Sequence, residues 1–355
     1  METKRLNRED MISLCAWYRN NKRSYPWRDS GDPYDVWISE IMLQQTRIEA
    51  VIPKFIAFKQ GVADIASLAA IDDDRLLKLW EGLGYYSRAR NLKKCASILM
   101  DQYGGQLPCD YDQLLKLPGI GPYTAGAILS IGFHLPYPAV DGNVMRILSR
   151  MLNIQEDVRQ DSTRKQMEDI ISAVLADDQQ LDPADVTQSL MELGQTICLP
   201  HGVPNCAQCP FAASCYACLN RCTDALPCRS SLNKRKIVNR TLIILREDDA
   251  FLLHKRAADG LLANMYEFIG YDGHLSEKEV YQACIALGYS PLSVQRKKDA
   301  VHIFTHMEWH MQAYEVFTEN LKDEAEKRLF VFEREKLKEI AIPSAFALYK
   351  KYYGI

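Results

Sequence analysis

The sequence predicts a multidomain chain: an all-α body in the first 215 residues, then a linker, then an α+β domain. Three observations predict it. At 355 residues the chain is longer than one hydrophobic core usually organises. Apolar residues recur at helical spacing up to about Cys215 and at strand spacing beyond about Val238. Seven of the eleven cysteines crowd into Cys198–Cys228, where one pattern gives way to the other.

Composition narrows the function classes. A hydrophobic fraction of 47% with 25% charged residues supplies core material and excludes wholesale disorder. The apolar stretch Ala125–Leu135 is interrupted by glycine and serine and falls short of the ~20 residues that cross a bilayer. The N-terminal Met-Glu-Thr-Lys-Arg leads into no apolar run, so no signal peptide or membrane helix is expected, and a cytoplasmic location is. With 43 Lys+Arg against 46 Asp+Glu the net charge is −3, so any contact with nucleic acid must come from local geometry.

Each element has its own signal. Asp32-Pro33 places a capping residue before a proline at the first helical position, and Ile48, Val51, Ile52 and Phe55 follow one face of a helix. Turns at Gly82–Gly84, Gly104-Gly105 and Gly119–Pro122 separate further helical runs. Residues 216–238, rich in Cys and Asn and including Lys234-Arg235-Lys236, read as linker. In residues 239–355, Thr241–Leu245 and Phe251–Lys255 are strand-like runs around a polar turn, and Val301–Phe317 is rich in β-branched and aromatic residues. Between them Ser276 and Glu279 form a capping box, and Gly288 stops the helix.

Without a secretion signal, the cysteine cluster points to metal rather than disulfides. Cys198, Cys206, Cys209 and Cys215 give C-x7-C-x2-C-x5-C, a spacing that serves a [4Fe–4S] cluster or a zinc ion equally. Cys15, Cys95, Cys109 and Cys284 are scattered and read as packing, while Cys218, Cys222 and Cys228 have no assigned role.

Leu117-Pro118-Gly119-Ile120-Gly121 lies between two helical runs. Glycines there let the backbone turn and expose its amides, and the next helix adds a positive dipole end, so the corner can hold a phosphate without lysine. The same residues also describe an ordinary helix–turn–helix connection. Tyr123 follows, and Val140-Asp141-Gly142-Asn143 then opens a new helix.

Hairpin, aspartate at a helix start and four cysteines, in that order, resemble the helix-hairpin-helix DNA glycosylase superfamily, whose layout endonuclease III and the MutY-type adenine glycosylases share. Tyr25-Pro26-Trp27-Arg28, the run Trp37–Thr46 and Gly82-Leu83-Gly84-Tyr85-Tyr86-Ser87-Arg88 are similar to the MutY pattern. His254-Lys255-Arg256 and Gly260–Phe268 resemble its MutT-like C-terminal domain.

The resemblance implies a fold, an activity and a set of roles. The fold is an all-α helix-hairpin-helix core with an iron–sulfur cluster, followed by an α+β MutT-like domain. The activity is hydrolysis of the N-glycosidic bond of adenine mispaired with 8-oxoguanine or guanine, in double-stranded DNA, by a monomer in base excision repair. Members that also cut the strand carry a lysine where this chain has Tyr123, so a monofunctional enzyme is implied. Glu40 would protonate adenine, Asp141 stabilise the cation, and Tyr123 and Asn143 position them. Gln45 and Tyr85 would enter the base stack beside Leu43 and Thr46, Arg23, Trp27 and Arg28 would surround the flipped base, and Gly119 and Gly121 would hold the backbone phosphate. Phe304-Thr305-His306 would read 8-oxoguanine, with Thr where the family has Ser. Cys198, Cys206, Cys209 and Cys215 would hold [4Fe–4S], in a loop one residue longer than usual.

Taken from its neighbours alone, Glu40 is either a solvated helix residue or a pocket-facing acid, Asp141 an N-cap, and Tyr85 a core aromatic. Thymine removal from G·T mispairs, an endonuclease III-like lyase and a non-enzymatic DNA-binding module are the competing functions. The helix after Ser276 has Glu277 and Glu279 but then an acid-free stretch, which argues against nucleotide hydrolysis.

Overall fold

The computed structural model describes residues 6–28, 30–177, 180–230 and 234–354. By packing the chain divides into two units, Met1–Ala70 with Asn91–Ser231, and Ile71–Arg90 with Leu232–Ile355.

The first unit is helical. Its helices are Arg8–Asn21, Pro33–Leu43, Ile48–Gly61, Ile65–Ala70, most of Ser87–Gln102, Tyr111–Leu115, Pro122–Ala127, Gly142–Leu152, Asp161–Asp177, Pro183–Thr196 and the short Tyr216–Leu219. Pro122–Ala127 continues as a π-helix through Gly132. The Asp32-Pro33 signal is used as read: the Asp32 carboxylate accepts the Tyr34 N–H at 2.9 Å, with Pro33 in the first turn. Nine consecutive residues of this helix, Tyr34 to Met42, are buried. A helix buried on every side offers no solvated face, and that carries Glu40 into the interior. Gly142–Leu152 instead buries the stripe Val144, Ile147, Leu148 and Met151, packing on Leu14, Met167, Leu190, Leu193 and Phe211.

Residues 216–230 do not run free as a linker. They fold back onto the Gly142–Leu152 helix because the buried Arg150 guanidinium needs acceptors: its Nε donates to the Thr223 and Leu226 carbonyls, each at 3.0 Å. The Val158 N–H also donates to the Cys228 carbonyl at 3.2 Å.

The second unit holds a seven-stranded sheet: β1 Lys236–Glu247, β2 Ala250–Lys255, β3 Tyr266–Glu267, β4 Ile269–Asp272, β5 Ser293–Ile303, β6 Met307–Phe317 and β7 Leu329–Glu333. The order is β3-β2-β1-β6-β5, with β4 on β1 and β7 on β2. β1 pairs parallel with β6, and the other pairs are antiparallel. Leu242 and Ile244 face a core with Phe268, Trp309 and Phe346, whereas Ile243 and Leu245 face one with Val280, Cys284 and Val316. Both faces of β1 are therefore covered, which is why it reads as an unbroken apolar run. The Ser276 capping box forms, and Gly288 ends the helix at φ +97°.

Ile71–Arg90, read from its sequence as part of the helical body, belongs to this unit. Lys255 pairs with Asp74 at 3.0 Å and Lys350 with Glu81 at 2.5 Å, while Arg90 donates to the Ala263 carbonyl at 2.9 Å.

Candidate active site

In the first unit a cavity of about 640 Å³, within the usual range for small-molecule sites, opens between three helix starts and ends. Glu40 enters it from the buried helix, Tyr123 from the first turn after the hairpin, and Asp141 and Asn143 from the start of Gly142–Leu152. Arg23, Leu43, Gln45 and Thr46 line the same cavity.

Glu40 is 7% exposed, and its Oε2 accepts the Tyr123 hydroxyl at 2.5 Å. Burial pushes its pKa up to about 7; the Tyr123 hydrogen bond opposes this, the Asp141 charge adds to it, and Arg28 opposes it more weakly. Near neutral pH this carboxyl therefore holds a proton about half the time, which suits a general acid. Burial and the two carboxylates hold the Tyr123 hydroxyl well above its ordinary pKa, so Tyr123 stays a neutral donor.

Asp141 is the N-cap the sequence suggests and also faces the cavity. Its Oδ1 accepts the Asn143 and Val144 backbone N–H groups at 2.8 Å, and Oδ2 accepts the Asn143 side-chain amide at 2.7 Å. Burial raises its pKa, and these hydrogen bonds, the Val144 N–H foremost, pull it back. Asn143 is braced in turn by Arg146, whose Nη2 donates to its Oδ1 at 3.0 Å and to the Gly194 carbonyl at 2.6 Å. Gly194 is required at that approach: a Cβ there would stand 2.4 Å from the Asn143 Cβ.

Reasoning from sequence missed Glu192. It is fully buried and ion-paired with Arg23 at 2.5 Å and Arg28 at 2.8 Å, and Arg23 also donates to Gln195 at 2.7 Å. The signal was available as one acid inside the apolar run Leu190-Met191-Glu192-Leu193. Trp27 is 7% exposed, stacked on Tyr25 with ring centres 5.1 Å apart and edge-on to Phe55. Trp27 and Arg28 line a smaller cavity of about 40 Å³ that shares Glu40 and Leu43 with the larger one.

Gln45 and Tyr85 both occupy left-handed backbone, at φ +56° and +46°. Such residues each cost about 1–3 kcal/mol and persist where the surrounding structure fixes them. Tyr85 is half-exposed rather than core and lies in the second unit. With Phe304, Thr305 and His306 it lines a separate cavity of about 430 Å³, and its hydroxyl is hydrogen-bonded to Thr305. The turn itself is closed by the Phe304 N–H donating to the Met307 carbonyl at 2.9 Å, and Phe304 packs edge-on to Trp309. Thr305 and His306 are exposed at its tip. Glu279 is committed to the capping box, accepting the Ser276 N–H at 2.7 Å.

The hairpin differs from expectation in one respect. Gly119 has φ +82° and would clash with Asn91 if it carried a Cβ, whereas Gly121 has φ −101° and open space beside it. Only Gly119 is demanded by the turn; at Gly121, glycine leaves the amide face bare.

Cys198, Cys206, Cys209 and Cys215 lie within electrostatic range of one another. Cys198, Cys209 and Cys215 back onto the core around Phe211, and Arg150 Nη1 donates to the Cys198 sulfur at 3.2 Å. Backbone N–H groups of Phe211 and of Ala217 and Cys218 point at the Cys209 and Cys215 sulfurs. Four sulfurs with a guanidinium and amide donors fit an anionic metal–thiolate group. Among the described residues no three His, Cys, Asp or Glu side chains converge on one point.

Residues 38–173 match the family described as HhH-GPD superfamily base excision DNA repair protein, and residues 240–351 match the NUDIX domain. The adenine DNA glycosylase of Buchnera aphidicola subsp. Baizongia pistaciae is 36% identical over 262 residues, 72% of this chain and 72% of its own. That of Buchnera aphidicola subsp. Acyrthosiphon pisum is 32% identical over 305 residues, 84% and 83% of the two chains. A solved thermostable thymine-DNA glycosylase shares the fold, with TM-score 0.53 at 23% identity over 59% of this chain and 95% of that one. Fold and site thus define a DNA N-glycosylase of the helix-hairpin-helix base excision repair superfamily, with a NUDIX domain after it. More narrowly, the chain belongs to the adenine DNA glycosylase family.

Proposed function

We propose that the protein hydrolyses the N-glycosidic bond of adenine mispaired with 8-oxoguanine or guanine, leaving an abasic site in an uncut strand. The observation that carries the reading is a buried carboxyl, Glu40, hydrogen-bonded to Tyr123 in a cavity that also holds Asp141; burial pushes its pKa up to about 7. An adenine stacked in a duplex cannot reach this group, so the base is flipped out first. Glu40 gives its proton to N7, which makes adenine a leaving group, and the glycosidic electrons depart with the base. The sugar becomes oxocarbenium-like, and the Asp141 carboxylate stabilises it. Water then adds at C1′ and returns a proton to Glu40. Tyr123 has no amine with which to form a Schiff base, so the strand stays whole.

Gln45, with Leu43 and Thr46 close by, enters the base stack, and so does Tyr85; the exposure of both side chains supports this role. Arg23, Arg28 and Trp27 shape the base pocket, and the amides after Gly119 and Gly121 receive a phosphate. The exposed Thr305 and His306, above Phe304, read the base opposite. Cys198, Cys206, Cys209 and Cys215 hold a [4Fe–4S] cluster whose part is to shape the surrounding loop. In this reading the protein acts as a monomer, on DNA in the cytoplasm.

The test is base release from defined duplexes, with and without later alkali. Adenine freed from A·8-oxoguanine with strand breaks only after alkali is expected, and breaks without alkali would overturn the monofunctional reading. Glu40→Gln and Asp141→Asn should each abolish release; near-normal turnover in either contradicts the assignment. Thr305→Ala should narrow the preference for 8-oxoguanine over guanine, and DNA binding should weaken as salt rises.

A further inference from the structure

We propose that Arg88 is a positioning residue for base eversion: its guanidinium holds the turn that presents Tyr85, and it acts on the reaction through that side chain. The inference rests on the reading of Tyr85 as a residue that enters the base stack. A wedge must stay in place while stacked bases push back, so its backbone has to be fixed from behind. Tyr85 is half-exposed, and Gly84 and Tyr85 are consecutive left-handed residues at φ +69° and +46°. For a tyrosine that conformation is uphill, and it persists only where neighbours over-determine it.

Arg88 is the neighbour placed to do so. It is buried, in the first turn of the helix Ser87–Gln102. Its Nη2 donates to the Leu83 carbonyl at 2.7 Å and to the Gly84 carbonyl at 3.0 Å, and its backbone N–H donates to the Tyr85 carbonyl at 2.8 Å. Three successive carbonyls are thereby tied to one residue. The guanidinium carbon lies 5.4 Å from the centre of the Trp80 ring and 5.7 Å from that of the Tyr85 ring. Trp80 is fully buried, and its indole N–H donates to the same Gly84 carbonyl at 3.1 Å. Force on the Tyr85 ring thus passes through a fixed cation to a core side chain. A buried guanidinium is costly to desolvate, and here it serves two carbonyls and two rings at once. A lysine could reach the carbonyls but has no plane to lay against the rings.

The test is a double-mutant cycle on the full-length protein. It is read by single-turnover adenine release and by 2-aminopurine placed beside the mispaired adenine, whose fluorescence rises when its neighbour is unstacked. Arg88→Met should slow release on the order of tenfold, the scale of one hydrogen bond from a charged group, and should shrink the fluorescence rise by a similar factor. Tyr85→Ala should do the same or more. Because Arg88 acts through Tyr85, the double variant should be no slower than Tyr85→Ala. Wild-type release and fluorescence in Arg88→Met overturn the proposal, and so does a double variant whose losses multiply, since a general loss of structure gives that result. If Arg88→Met does not fold, Arg88→Lys carries the same cycle, with a smaller loss that must again vanish once the Tyr85 ring is absent. Tyr85→Ala with wild-type release and an undiminished fluorescence rise would instead sink the reading of Tyr85 as a wedge, an outcome told apart by that variant alone.

Discussion

Replacing Glu40 by glutamine should make the protein inactive and should remove a loss of stability that the wild type suffers as pH rises through neutrality. The folded-state pKa of about 7 lies above the ordinary 4.5, so the folded protein binds this proton more tightly than the unfolded chain does. Stability from such a group is complete at low pH and falls as pH rises from about 4.5 through about 7. Each tenfold change in proton affinity is worth about 1.4 kcal/mol, so the penalty in alkaline solution is about 3 kcal/mol. Glutamine cannot ionise and escapes it. Seating the amide next to Tyr123 has a cost of its own, but that cost does not vary with pH and cancels when two pH values are compared. Thermal unfolding of wild-type and Glu40→Gln protein at pH 5 and pH 8 is the assay. The variant should gain about 2 kcal/mol relative to wild type between the two conditions, several degrees for a unit of this size. An equal difference at both pH values would refute the claim that this carboxyl keeps its proton through burial.

Tyr123→Phe removes a hydrogen bond that lowers the pKa of Glu40; bonds to charged groups are worth about 1.5–3 kcal/mol, so the alkaline limb of single-turnover adenine release should move up by about 1–2 pH units. Glu192→Gln leaves two guanidiniums without their buried carboxylate and should cost about 3–5 kcal/mol, read as a lowered melting temperature. Gly194→Ala drives a methyl group against Asn143, so base release should fall at least tenfold on the order of 1–3 kcal/mol of strain, while iron content stays unchanged.

The elements were legible wherever the signal is local. Asp32-Pro33, the Ser276–Glu279 box and the Gly288 stop each settle their own backbone from side chains a few residues away. Two-residue β3 and five-residue β7 carry too little pattern to stand out, and they exist because β2 offers them an edge. The placement of Ile71–Arg90 was hidden for a related reason. Asp72 caps a helix there as it would anywhere, but the partners Lys255 and Lys350 lie 181 and 269 residues further along from Asp74 and Glu81. Local chemistry says that a helix forms and is silent on which surface receives it.

The site was legible through motifs and opaque in its electrostatics, and the two buried glutamates show why. Glu40 and Glu192 are each one acid within an apolar helical run, and nothing in either run distinguishes them. A carboxyl taken out of water must either meet a cation or keep its proton. Packing brings Glu192 against Arg23 and Arg28, and brings Glu40 against a neutral hydroxyl and a second carboxylate. The two fates are linked through Arg28, which is committed to Glu192 and therefore only weakly opposes the raised pKa of Glu40. It follows that Glu192→Gln should release Arg28 toward Glu40 and move the alkaline limb of the pH profile down, opposite to Tyr123→Phe. Two substitutions, on different helices and neither on the acid itself, would then shift one titration in opposite directions, as the arrangement of charges around Glu40 requires.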